Sequence, residues 1–207
     1  MVKIRQDKHV INKSIFLALG INVEGQKELM GMWVAENEGA KFWLSVLMGL
    51  QHRGVEDILI ACADGFKSFP DAINAVFHKS ICNCVSFKYK RRSLAWTRAF
   101  SDNWDEQYPL ISKSWWAHWQ NLNTIFNYPA DIRKAIYTTN TIESLNSVIR
   151  RAIKKRKIFP SDVSAKKTLY WAITDASKKW TMSIHNWRQA MVRFIIEFGD
   201  RLEKHLK

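Results

Sequence analysis

Ile58-Leu59-Ile60-Ala61-Cys62-Ala63-Asp64-Gly65 is the stretch on which the reading of the fold turns. Its apolar run is too short for a helix and is bounded by Glu56-Asp57 before and Asp64-Gly65 after. That is the pattern of a central strand buried on both faces of an α/β sheet. At its C-terminal end stands a carboxylate, then a glycine that lets the backbone turn sharply. In open α/β sheets the edge beyond the strands' carboxyl ends is where ligands and metals bind. Two roles for Asp64 stay open at this point: a ligand at that edge, or a turn-closing or helix-capping carboxylate.

Working outward toward the N-terminus, Val2-Lys3-Ile4-Arg5 alternates apolar and basic, and Gln6-Asp7-Lys8-His9 turns. Val10 to Ile21 forms a second strand, Asn22-Val23-Glu24-Gly25-Gln26 a second turn, and Leu29 to Ala35 a third strand. Three sequential strands joined by short polar turns make an antiparallel meander. A helix is predicted from about Gly39 to His52, with Phe42, Trp43, Val46, Leu47 and Leu50 on one face and Arg53-Gly54 ending it. Beyond the 58–63 strand, Ser68-Phe69-Pro70 opens another helix, Ser as N-cap and Ile73, Val76 and Phe77 facing inward. Ile81 to Phe87 reads as a fifth strand. A meander followed by α/β crossovers on the same sheet is the order of a ribonuclease-H-like fold: α/β, with a mixed sheet.

The remainder is predicted to be helical. Residues 94 to 128 are aromatic-rich, with Trp96, Phe100, Trp104, Trp115, Trp116, Trp119, Phe126 and Tyr128. Tyr128-Pro129 marks a boundary, and a short helix runs from Asp131 to Tyr137. Another opens at Asn140, and Phe159-Pro160-Ser161 ends it and caps the next, from about Asp162 to Trp180. A last helix, from about Ile184 to Lys204, carries Trp187, Met191, Phe194 and Ile195. The chain thus divides into a sheet region at 1–93, a helical insertion at 94–137 and a basic helical part at 138–207.

Composition narrows the partners. Across 207 residues, 47% are hydrophobic and 25% charged, the balance of a globular chain. Lys and Arg total 32 against 19 Asp and Glu, a net charge of +13. Such a surplus points to a polyanionic partner, nucleic acid before an anionic membrane. No apolar run approaches a membrane span, and the first residues are unlike a signal peptide. Three cysteines without an export signal point to reduced thiols in the cytoplasm, with Cys62 in the buried strand. Most of the ten tryptophans are expected to pack in the interior, while an exposed one can stack on a base.

Two basic stretches stand out. Lys88-Tyr89-Lys90-Arg91-Arg92 has four positive charges and no acid, fitting either phosphate contact or a solvated run. In Asn140-Thr141-Ile142-Glu143, Asn140 is a natural N-cap, and Glu143 stands at the capping-box position. Ile142, Leu145, Ile149 and Ile153 form the buried stripe of that helix. Glu143 shares another face with Asn146, Ser147, Arg150 and Lys154, and one carboxylate above a basic ladder suits a metal ligand beside phosphates. From Ser144 onward fifteen Lys or Arg stand against five acids, and Arg150, Arg151, Lys154, Lys155 and Arg156 cluster at the end of this helix. Mg²⁺ takes hard oxygen ligands, and paired ions can drive phosphodiester chemistry.

Several stretches resemble the Mutator-type bacterial insertion-sequence transposases. They are Ile21 to Lys27, Ala40-Lys41-Phe42-Trp43-Leu44, Gly54 to Ala61, Asp64-Gly65-Phe66, Thr138 to Asn146, Lys179-Trp180-Thr181-Met182 and Phe198-Gly199-Asp200-Arg201-Leu202. They span nearly the whole chain in the family's order. The resemblance implies a ribonuclease-H-like catalytic domain with an Asp-Asp-Glu triad and Mg²⁺ or Mn²⁺. Asp64 matches the second Asp and Glu143 the Glu, both as catalytic residues and metal ligands. It also implies double-stranded DNA (element ends and target) as partner, for which the basic stretches above offer Lys88, Lys90, Arg91, Arg92, Asn146, Arg150, Arg151, Lys154, Lys155 and Arg156 as contacts. A homo-oligomer or a full-length transposase would be the protein partner, in a bacterial cytoplasm at the nucleoid.

The departures matter equally. The family's first Asp lies just ahead of the segment similar to Val2-Lys3-Ile4-Arg5 and has no counterpart; Asp7 falls in the turn at the far end of that strand. The family's N-terminal DNA-binding region is also missing. In Cys84-Val85-Ser86-Phe87, Phe stands where the family has His, and the helical insertion is shortened near Lys88 to Ala95. The expectation is therefore a transposase catalytic-domain fragment that is inactive alone. The alternatives are a non-catalytic DNA-binding or inhibitory fragment pairing with a full-length transposase and, ranked last, a ribonuclease-H-like nuclease.

Overall fold

A computed structural model describes residues 1–63, 68–83, 94–110, 113, 128–137 and 140–206. Within them the elements run β1 (Val2–Gln6), β2 (His9–Ile21), β3 (Lys27–Ala35), α1 (Ala40–His52), β4 (Ile60–Cys62), α2 (Phe69–Val76), β5 (Ile81–Asn83) and α3 (Leu94–Trp104). Then follow α4 (Ala130–Tyr137), α5 (Asn140–Lys154), α6 (Asp162–Ser177) and α7 (Trp187–Leu202). Two compact units result, one of Met1–Glu38 with Lys134–Lys207 and one of Gly39–Arg133.

The first unit is built on the meander. β1, β2 and β3 pair antiparallel in that order, with Val2 opposite Lys13 and Leu17 opposite Met32, and a register shift at Ala18/Leu19. Asp7 and Lys8 both take positive φ, 48° and 67°, the two-residue turn whose twist suits a hairpin. At the second turn Asn22 Oδ1 accepts from Gln26 N at 2.8 Å, and Gly25 adopts φ +80°. The Trp187 ring lies against that glycine so closely that a β-carbon would overlap it. Trp187 Nε1 donates to Val23 O at 2.8 Å, and Ile184 N to Gly25 O at 3.0 Å, so the start of α7 is pinned to the turn.

Period-two alternation along β2 puts Ile15, Leu17 and Leu19 on one face of the sheet. There they meet Leu145 and Ile149 of α5 and Leu169 and Ile173 of α6, with Leu29 and Met32 from β3. A second cluster joins Val2, Ile4, Phe159 and Ala165. Phe159, wholly buried, also adds a rung to the open edge of β1: its N donates to Lys3 O and its O accepts from Arg5 N, both at 2.8 Å. Covering an edge strand this way removes a template for unwanted pairing. In α7 the buried row is Ala190, Phe194, Phe198 and Leu202. Ile195 is 39% exposed, because a row stepping by four leaves it to one side.

In the second unit, α1 buries Trp43, Val46, Leu47 and Leu50, as its spacing predicts. The Trp43 ring meets Phe69 of α2 edge to face at 5.1 Å. Ser68 stands at the N-cap: its carbonyl accepts from Ala72 N at 3.3 Å, but its hydroxyl makes no capping bond. β4 and β5 pair parallel, Ile60 with Ile81 and Cys62 with Asn83, α2 lying between them in sequence.

Two expectations about the deciding stretch are corrected here. Regular strand structure is confined to Ile60–Cys62, because Ile58 N is taken by Asp57 Oδ1 (2.8 Å) and Ile58 O by the Ser80 hydroxyl (2.6 Å). Cys62 is exposed, so the strand is not buried on both faces. Among the described residues the ladders are a three-stranded sheet and a two-stranded one. The architecture is mixed α/β: an antiparallel three-stranded sheet, a parallel pair and seven helices among those residues.

Candidate nucleic-acid interface

Helix α5 supplies the scaffold. Its apolar positions recur every three or four residues, and Leu145 and Ile149 are buried against the sheet. The rest of the surface is left to solvent: Ser144, Asn146, Ser147, Arg150, Arg151 and Lys154 are exposed. Arg151 and Lys154 fall in the last turn, where positive side chains complement the negative end of the helix dipole.

The basic run continues past the helix as Lys155, Arg156 and Lys157, all exposed. This turn is not loosely attached. Arg156 N donates to Ile153 O at 3.0 Å, and its guanidinium donates to Ser164 Oγ at 3.2 Å. Three residues later Phe159 is fixed on β1, and Ser161 caps α6 by accepting from Ser164 N at 3.2 Å. Six cations at positions 150–157 are thereby held on the end of α5 and the short turn that joins it to α6. None of the ion pairs among the described residues involves them.

α6 is oriented by a buried charge. Lys13 of β2 is 7% exposed, and its ammonium donates to Asp162 Oδ2, on the first residue of α6, at 2.9 Å. Gln6 Oε1 accepts from the same ammonium at 3.1 Å, and Glu36 lies 3.5 Å away. The hydrogen bond to Asp162 holds the Lys13 ammonium above its ordinary pKa, against an opposing desolvation. With Ala165, Leu169 and Ile173 wholly buried, the other side of α6 presents Lys166, Lys167, Tyr170 and Trp171 to solvent. Sequence reading passed over this patch, though a signal existed: a Lys pair and an aromatic pair four residues apart, out of phase with the buried row.

Of the site residues expected from sequence, Asn146, Arg150, Arg151, Lys154, Lys155 and Arg156 come together on α5 and the turn after it. The backbone of Glu143 falls within α5, and its side chain lies outside the described set. Asp64, Lys88, Lys90, Arg91, Arg92, Cys84 to Phe87, and Trp115, Trp116, Trp119 and Phe126 lie outside the described residues. Among the described residues no group of three or more His, Cys, Asp or Glu side chains could hold a metal ion. Nor is any helix there long and apolar enough to cross a membrane.

The profile of the family described as "Transposase, Mutator family" matches residues 1–98 and 86–183. The chain belongs to that family. Among relatives of this Mutator-family chain, a probable insertion-sequence transposase of Sinorhizobium fredii is 39% identical over 229 positions, covering 97% of this chain and 57% of the relative. An insertion-sequence transposase of Rhizobium meliloti is 38% identical, with the same coverage. One from Corynebacterium diphtheriae, a probable transposase, is 31% identical over 253 positions, covering 99% of this chain and 74% of its own. The chain thus spans a little over half the length of the first two relatives. The first match to the family contains Asp64; the second contains Glu143, the basic turn and all of α6.

Proposed function

We propose that this chain serves the DNA-processing domain of an insertion-sequence transposase, in a ribonuclease-H-like arrangement. Asp64 and Glu143 would be metal-holding carboxylates, and the 150–157 turn would grip duplex phosphates. The observation that carries this reading is α5: one helix, fixed on the sheet by Leu145 and Ile149, bears the Glu143 position and an exposed cationic end. From position 143 to 154 the helix rises about 16 Å, at ~1.5 Å per residue. That length spans roughly five base steps of duplex at ~3.4 Å each. Phosphate contacts at Arg150, Arg151 and Lys154 would therefore set the register of the strand that passes Glu143. Such contacts position DNA without reading its sequence.

The donor chemistry fits Mg²⁺ or Mn²⁺, since carboxylate oxygens are the hard ligands these ions take. Asp64 and Glu143 would hold such ions, which would supply activation of a water or hydroxyl and stabilisation of the leaving oxygen. The chain's own part is to hold the carboxylates, place the phosphates and screen their charge.

A second reading is DNA binding without cleavage, alone or alongside a full-length transposase. It is favoured by the alignments to relatives, which at 229 and 253 positions are longer than this chain's 207 residues, so the relatives carry residues absent here. The two family matches also overlap at 86–98, where the sequence suggests a shortened insertion.

Mg²⁺- or Mn²⁺-dependent cleavage and strand transfer on DNA carrying the element's ends separates the two. Activity abolished by both Asp64→Ala and Glu143→Ala supports the catalytic reading. Duplex binding without cleavage supports the second. A chain that neither binds nor cuts DNA defeats both.

A further inference from the structure

We propose that Tyr170 and Trp171 of α6, with Lys166, Lys167 and Met32, form a stacking seat for an unpaired base of single-stranded DNA, beside the duplex-gripping turn. This deepens the DNA-binding reading above and rests on it.

The side chains are arranged against the ordinary expectation for their types. Trp171 is 69% exposed and Tyr170 is 53% exposed, while the opposite row of the same helix is wholly buried. Two adjacent large aromatics left in water on a packed helix form an exposed apolar patch rimmed by polar residues, the kind of surface that marks interaction sites. With Met32 of β3, Lys166 and Lys167, they line a shallow, wide-open recess. The two rings stand 6.2 Å apart at 71°, so together they present differently directed ring surfaces. A base can stack on one and abut the other.

Charge selects the occupant. Lys166 and Lys167 precede the rings by one turn (i, i+4), so the two lysines and the two aromatics are neighbours on the helix surface. Neither takes part in an ion pair among the described residues. The nearest acid along the same stripe, Asp175, is already paired with Lys178 at 3.3 Å. At the other end of the stripe, Arg156 reaches Ser164 from the basic turn, so positive charge continues from 150–157 to the rings. Tyr, Trp and Met are also common at protein interfaces, and it is the lysine pair, a residue type depleted from interface cores, that favours a polyanion here. Aromatic rings interleaved with lysines match single-stranded nucleic acid, whose bases stack while its phosphates need cations.

The test uses the full chain and two probes, a short thymidine oligonucleotide and a blunt duplex of matching length, with binding followed by fluorescence anisotropy. Trp171→Ala is expected to weaken the single strand about 5- to 100-fold, the usual range for one lost stack, and the duplex by less than about twofold. Tyr170→Ala should do the same more weakly, and Trp171→Phe should keep most of the affinity. If Trp171→Ala fails to fold, the Tyr170→Ala and Trp171→Phe comparison decides alone. Unchanged single-strand affinity in folded variants overturns the proposal, as does a wild-type chain that binds only the duplex; in both cases duplex binding leaves the broader reading standing. A chain that binds neither probe overturns both. If the substitutions abolish self-association in sedimentation and leave single-strand binding untouched, the patch is a homotypic contact and the proposal falls.

Discussion

Lys13 and Asp162, 149 positions apart, meet at 2.9 Å where the second strand passes under the first turn of α6. The lysine side chain is 8% exposed and the aspartate 42%, so one partner is buried and the other wet. The pair orients the helix that carries the exposed aromatic patch. Lys13→Met should cost about 1–2 kcal/mol in denaturant unfolding, the scale of a charge-assisted hydrogen bond discounted for the exposed partner.

The same pair sets an alkaline limit. The folded-state pKa of Lys13 is raised above its ordinary 10.5, mainly by the hydrogen bond to Asp162. A raised pKa means the folded chain holds the proton more tightly, so this stabilisation is complete below the ordinary value and is lost as pH rises through the folded one. Thermal melts across that alkaline range should show wild type losing stability faster than Asp162→Asn. Parallel curves would show that the pair contributes nothing.

Gly25→Ala combines a positive φ with an overlap on the Trp187 ring. The expected loss is about 2–4 kcal/mol, from backbone strain plus overpacking. Urea midpoints check it. Trp187→Phe, which removes the bond to Val23 O and shrinks the ring packed on Gly25, should cost about 1–3 kcal/mol.

Phe159→Ala empties a wholly buried site and should cost about 3–5 kcal/mol. Because Phe159 ties the basic turn to β1, duplex affinity should also fall under conditions where the variant remains folded. Gel-shift titration beside circular dichroism tests both parts, and unchanged affinity would mean the turn does not need its anchor.

These relationships mark what the sequence could and could not reveal. The meander was legible because its turns are local: Asp7-Lys8 and Asn22 to Gln26 announce themselves within a few residues. α1, α2 and the α5 stripe followed from apolar spacing, and the 150–157 cations from composition alone. Cys62 was misjudged because an apolar run records hydrophobicity but not which strands lie beside it, and only β5 pairs with β4 among the described residues. Phe159 and Lys13 act through partners far away in sequence, which no periodicity encodes. The α6 patch was hidden by the expectation that aromatic residues pack inward. Asp64 and the Lys88 to Arg92 run lie outside the described residues, and their roles rest on resemblance and proposal.

The most direct test of the account is the salt dependence of duplex binding by the full chain, with and without the cations of the 150–157 turn. If these six side chains each engage a phosphate, log Kd plotted against log salt should change with a slope of magnitude about 5. Arg150→Gln, Arg151→Gln and Lys154→Gln together should lower that magnitude by roughly 3 while leaving the fold intact. A slope near zero in wild type, or one that the triple substitution leaves unchanged, would contradict the claim that this turn is the DNA-binding face.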